Sequence, residues 1–335
     1  MTLYAIDAID DAIDATRAFL WPFDRGRWLR LAFVMFFIGG VGSVNPLQFG
    51  GSTPSGGGPE TPGTPGTPGT PEALPSIGGA ELTVLAAIIG IVVLIALVFM
   101  LVGSIMEFVF VESLRREVVT IRRYWSDRWG QGLRLFAFRL LLGVLTFGLI
   151  GLVFVAALGP VVFGDGGFSL GLVLLAIPIA FVIVMLSGLV NGFTTMFVVP
   201  IMIGEDRSLL SAWRRFWPTL TGQWKQYAAY AVMGFVLQLV GGILAGIASL
   251  VGAIVIAIPL VLVGLIGVGL LMVVEVAGWV VIALAVVLFV LALIVLSLFV
   301  SVPVQTYLRY YALFVLGDTN EAFDLVPERR QAVRA

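Results

Sequence analysis

Between Lys225 and Arg309 the chain carries one charged residue, Glu275. Apolar runs of this length far exceed the ~20 residues that a helix needs to cross a bilayer. In lipid only helices and closed barrels satisfy their own backbone. Barrel strands alternate polar with apolar residues, whereas these runs are continuously apolar. The expected fold class is therefore all-α, a polytopic transmembrane helix bundle. Composition agrees: 60% of residues are hydrophobic and 12% charged, against about a quarter charged in a soluble domain.

The chain contains no Cys and no His. Thiol nucleophiles, Ser-His-Asp triads and His or Cys metal sites are thereby excluded. A carboxylate-only site for a hard cation survives that exclusion, but no cofactor and no metal ligand set is read from the residues. The N-terminal segment carries Asp7, Asp10, Asp11 and Asp14. A cleavable signal begins with a basic region followed by an apolar core, so this segment is expected to stay on the mature protein.

Residues 3–20 read as an amphipathic helix, with Ile6, Ile9, Ile13 and Leu20 on one face and the four aspartates on another. Residues 1–28 form a cytoplasmic interfacial unit. A first hairpin is expected from 29–45 and 82–111, joined by an extracytoplasmic Thr/Pro/Gly-rich disordered loop at 46–81. Its repeated Thr-Pro-Gly has no apolar period and reads as extended, solvated chain. Residues 112–200 give an interfacial segment and a second hairpin. Residues 201–308 give a third, with a helix-broken but buried region near 258–280, before a cytoplasmic tail at 309–335.

The charge map supports this count. Basic residues near span ends collect on the cytoplasmic side. The segments before 31, at 112–139 and at 204–225 hold fifteen of the nineteen Lys and Arg residues, whereas 46–80 and 160–168 hold none. Two crossings after Lys225 keep Arg309, Arg329, Arg330 and Arg334 on the same side; three would not. Six crossings, both termini cytoplasmic, and a cell-membrane location follow as expectations.

Three segments share a pattern. Trp21-Pro22 precedes Trp28, Trp125-Ser126 precedes Gly132, and Trp217-Pro218 precedes Trp224, each with five residues between. The second and third copies also match at Arg122-Arg123 with Arg214-Arg215, and at Gly130-Gln131 with Gly222-Gln223. Physically, an interfacial helix stops at Trp-Pro or Trp-Ser, and an aromatic or basic residue then anchors the next span at headgroup depth. The interfacial anchors are Trp21, Trp28, Trp125, Trp217 and Trp224. Repeats in this order are parallel, unlike the inverted repeats of many transporters.

The Trp-Arg-Arg-aromatic-Trp-Pro segment (Trp213 to Pro218), after a long span ending Phe197-Val198-Val199-Pro200, resembles the membrane domains associated with glycerophosphodiester phosphodiesterases and related uncharacterised families. The acidic start, the excess of Arg and the Thr/Pro/Gly loop resemble haloarchaeal members of such groups. The resemblance implies a multi-pass fold. The catalytic part of those phosphodiesterases is a separate barrel that needs His, so their activity is not carried over.

Five polar residues stand out at membrane depth: Glu107, Arg139, Asn191, Gln238 and Glu275. Intramembrane carboxylates are costly and often functional. Glu107 lies near the cytoplasmic end of its span at the depth of Arg139, and a structural ion pair between them is favoured over a proton relay. Glu275 is a turn residue or lies in a broken helix. Asn191, Gln238, Thr194 and Thr195 fit interhelical hydrogen bonding, and Gly188-x-x-x-Gly192 and Gly242-x-x-x-Gly246 fit close helix packing. The aspartate stripe binds a cation, pairs with the arginines at 115–128 and 207–215, or is simply solvated. Pairing or solvation is favoured, because the stripe lacks the looped ligand geometry of a calcium site. Those arginines, interleaved with aromatics, point to anionic lipid headgroups as partners rather than to nucleic acid. With no catalytic constellation visible, the expected function is a non-enzymatic scaffold, accessory or envelope-organising protein. The alternative is a transporter or channel for a lipid or small amphiphile.

Overall fold

The computed structural model describes residues 4–39, 79–163 and 170–334, and every regular element among them is helical. In order these are α1 (Tyr4–Leu20), α2 (Arg25–Ile38), α3 (Gly79–Arg116), α4 (Ile121–Phe163), α5 (Leu170–Phe193), a π turn (Thr194–Val198), α6 (Val199–Glu205), α7 (Leu209–Gly222), α8 (Trp224–Leu271), α9 (Glu275–Thr319), a 3-10 turn (Glu321–Phe323) and α10 (Pro327–Arg334). The loop expected at 46–81 and the turn containing Asp165 fall mostly outside the described residues.

Five helical stretches are long and apolar enough to cross a membrane: Leu82–Arg116, Ile121–Leu158, Gly171–Glu205, Trp224–Leu271 and Glu275–Thr319. A sixth, expected from 29–45, is described only as far as Gly39 and begins in the 14-residue α2. At 1.5 Å per residue that helix is about 21 Å long, short of the ~30 Å hydrocarbon core.

Most of the buried side chains gather at one end of the molecule, called here the basal end. Phe108 and Phe110 of α3, Phe197 of the π turn, Phe216 of α7, Tyr227 of α8 and Tyr310, Tyr311 and Phe314 of α9 meet there. Away from it the helices expose apolar surface: Leu82 to Leu94 on α3, Leu141 to Val155 on α4, and Val232 to Val268 on α8 carry runs of exposed Leu, Ile and Val. Water would penalise apolar patches of that extent, whereas lipid does not. The protein thus has a packed basal core bearing apolar helices whose natural solvent is a bilayer.

Several expectations change here. The α1 face that packs on the core is built mainly on alanines and only in part on the expected apolar residues. Ala5, Ala8, Ala12 and Ala15 are buried, followed by Phe19; Leu20 is buried and Ile9 packs against the core, while Ile6 and Ile13 are half exposed. The small side chains let α1 approach closely, and spacing between helices depends on the residues at the contact. The ion pair found for the aspartate stripe joins Asp11 to Arg334 at 2.7 Å, not to the arginines at 115–128 or 207–215.

The halting rule for Trp-Pro and Trp-Ser holds at one of its three sites. α1 ends at Leu20, before Trp21-Pro22, but Trp125-Ser126 lies within α4 and Trp217-Pro218 within α7. Ser126 sits within the first turns of α4, where its hydroxyl bonds back to the Arg123 carbonyl, an arrangement that a helix accommodates. The interruption expected near 258–280 narrows to a turn at 272–274. α8 continues through Pro259 to Leu271, and Met272 and Val273 are exposed rather than buried. Finally, 309–335 is no tail. α9 runs to Thr319 with Leu308 to Gly317 buried, and Phe323, Leu325 and Val326 complete the core. A 45-residue helix is about 68 Å long, so its basal third extends past the apolar belt and is covered by protein.

Candidate functional site

The polar centre of the basal core is built around Glu107. Its carboxylate is 2% exposed and faces two arginines, Arg139 of α4 with Nη2 at 3.2 Å and Arg309 of α9 through Nη2. Arg139 also donates to Thr195 Oγ1 at 3.0 Å and to Ser104 Oγ at 3.4 Å. Arg309 donates Nη1 to the Thr195 carbonyl at 2.6 Å, and its guanidinium lies 5.7 Å from the Phe110 ring centroid. Three membrane helices and the π turn are tied at one point.

The π turn explains why Thr195 can accept. Val199 N–H bonds back to Thr194, five residues earlier. The next amide along belongs to Pro200, which has no N–H and which crowds the preceding turn. The Thr195 carbonyl is therefore left without a backbone donor, and the Arg309 guanidinium supplies one. Wide turns of this kind recur at functional positions in helices. The same segment is fixed from below by Trp213, whose Nε1 donates to Thr194 Oγ1 at 3.2 Å.

The cluster holds one carboxylate and two guanidinia, hence one net positive charge in a buried setting. Arg139 Nε and the nearby helix's Thr306 Oγ1 are buried with no hydrogen-bond partner. A buried ion pair recovers its desolvation cost only when geometry and further hydrogen bonds are good; here Ser104, Thr195 and its carbonyl provide them. Five residues down α3, Glu112 forms a second focus with Arg116 at 2.5 Å and Arg128 at 3.4 Å. Arg128 reaches on to Asp206, and Gln131 bonds Asp206 and the Met202 carbonyl.

The residues singled out in the sequence are not brought to one place. Glu107 and Arg139 meet. Gln238 lines a crevice between α5 and α8. Asn191 is partly buried, with its Oδ1 enclosed and unpartnered. Glu275 is exposed at the first position of α9, where its charge suits the positive end of the helix dipole. Among the anchors, Trp21, Trp217 and Trp224 are exposed, Trp125 packs on Trp129 at 5.5 Å, and Trp28 turns inward to stack on Phe299 at 6.2 Å.

Sequence reading missed Arg309, placed in a tail, and the carbonyl freed by Pro200; the second had a visible signal in Val198-Val199-Pro200. Among the described residues no group of three acidic side chains converges as a metal ion would require.

A family of unknown function, DUF7544, matches residues 3–326, and the chain belongs to that family. The match carries no link to glycerophosphodiester phosphodiesterases. No curated protein and no solved structure matches the chain.

Proposed function

We propose that this member of a family of unknown function is a non-enzymatic scaffold or accessory protein of the cell membrane. In this reading it crosses six times, with both termini and the basal core on the cytoplasmic side. The arginines around the core, Arg115, Arg116 and Arg123 among them, are exposed or half-exposed beside Trp129. That arrangement suits anionic headgroups, each exposed basic residue near such a surface being worth about 1 kcal/mol. Kinship with the membrane domains of phosphodiesterases rests on the Trp213–Pro218 motif and brings no hydrolytic chemistry with it.

One observation carries the preference for scaffold over transport. The polar residues at membrane depth lie in separate places. Glu107 is paired in the basal core, Gln238 lines the α5–α8 crevice, Asn191 is partly buried elsewhere on α5 and Glu275 is exposed at the start of α9, with no common path between them among the described residues. A transporter needs such a path. Purified protein in vesicles is expected to pass neither small solutes nor fluorescent lipid faster than empty vesicles. Flux above that background, abolished by Glu107→Gln, overturns the reading. Topology is checked separately, since the chain has no native Cys: a single cysteine at Asn320 should resist an impermeant thiol reagent applied from outside intact cells.

A further inference from the structure

The crevice between α5 and α8 is the place where the two distal hairpins fail to meet. α3 packs on α4, α4 on α5, and α8 on α9 along their lengths, but α5 and α8 barely touch. The gap is lined by Leu189, Gly192 and Met196 on one side and Ala231, Gly234 and Gln238 on the other. Its enclosed part is narrow, about 40 Å³, room for a thin unbranched chain rather than for a bulky ligand. Its basal end is closed by rings: Tyr230 stacks on Tyr311 at 5.2 Å and meets Phe197 edge-on at 4.6 Å. Its mouth is continuous with the exposed apolar belt, through Leu186, Phe235 and Leu239.

The geometry points to a bilayer lipid as the occupant, one alkyl chain of which enters sideways and bridges the α4–α5 hairpin to the α8–α9 hairpin. The wall is apolar and aromatic except for the Gln238 amide, so it offers a hydrocarbon chain contact without desolvating charge. The surrounding solvent at this depth is itself hydrocarbon, and an unfilled gap between helices forfeits dispersion contacts on both walls. Gly234 makes the room. A Cβ built there meets nothing closer than the edge of Tyr230 at 4.0 Å. The lipid is thus a structural component at a fixed position, distinct from the lipid that coats the outward faces. This inference rests on membrane embedding and not on the scaffold reading, so either can fail alone.

The test uses the whole chain in phosphatidylcholine vesicles containing a trace of phosphatidylglycerol with a diazirine-bearing tail. After irradiation, labelled peptides are expected to centre on Gly192–Met196 and Tyr230–Gln238. Gly234→Leu fills the gap and should cut that labelling several-fold; Gly234→Ala, with a smaller side chain, should cut it partly and guards against a folding defect in the larger variant. Gly246→Leu, where a Cβ meets nothing within 4 Å, should leave it unchanged. Labelling spread evenly over α3, α5 and α8, or unchanged in Gly234→Leu, overturns the proposal. So does a single cysteine at Leu189 that forms disulfide-linked dimers in the same vesicles, because a second copy would then occupy the crevice.

Discussion

Replacing Glu107 by Gln keeps the shape of the side chain and removes its charge, which leaves Arg139 and Arg309 facing each other without a counter-charge. Both guanidinia are at most 9% exposed, so water does not substitute for the lost carboxylate. Breaking a buried pair by removing one partner costs about 3–5 kcal/mol. The residual hydrogen bonds to Ser104 and Thr195 soften this, but they cannot balance two positive charges. Arg139→Met makes the opposite change in net charge: Glu107 and Arg309 remain as a neutral pair. Its expected cost is smaller, about 1–3 kcal/mol, close to that of leaving buried hydrogen-bonding groups unsatisfied. Reversible unfolding in detergent, followed by helical circular dichroism as dodecyl sulfate is raised, measures both variants against the parent. The ordering is the decisive quantity. If Glu107→Gln costs under about 1 kcal/mol, or Arg139→Met costs as much as Glu107→Gln, then net charge in the cluster is not what makes Glu107 indispensable.

Further outcomes follow from the same structure. Pro200→Ala restores an amide that can bond the Thr195 carbonyl, so Arg309→Met should cost about 1 kcal/mol less in that background than alone, a coupling visible in a double-mutant cycle. Gly132→Ala should destabilise by about 1–3 kcal/mol, since a Cβ there would lie 2.5 Å from Ile105 Cγ1 and 2.9 Å from its Cα; Gly242→Ala, with nothing within 4 Å, should be neutral or slightly stabilising in the same titration. α10 has no buried residue and is held by Arg329–Glu117, Arg330–Asp318 and Arg334–Asp318. Salt at ~1 M, where the screening length is roughly 3 Å, should therefore raise amide exchange across 327–334 while leaving α9 protected. Raising pH should not do the same: the Asp318 hydrogen bond holds the Arg334 pKa above its ordinary value, and a raised basic pKa loses its stabilising contribution only as pH climbs through that higher value.

The contrast between hydrocarbon and water is local to each residue, and it was legible in the chain itself. Uninterrupted apolar runs can only be helices in lipid, and the clustering of Arg and Trp at 112–134 and 207–225 marked the segments that adjoin one end of the molecule. Pairing of Glu107 with Arg139 could be foreseen because both stand alone in apolar helices at matching depth, where an unpaired charge is expensive. Other features depended on which surfaces meet. Ala5, Ala8, Ala12 and Ala15 form the packing face of α1 because α9 passes close by, and nothing within α1 outranks its isoleucines as a buried face. Arg309 becomes the second partner of Glu107 because α9 continues past the apolar belt into the core, so that residues 202 positions apart in sequence come to share one hydrogen bond. The sequence thus determined the solvent and the helices; only the tertiary structure decided which charges balance and where α5 and α8 part, because both depend on distances between helices that no local pattern encodes.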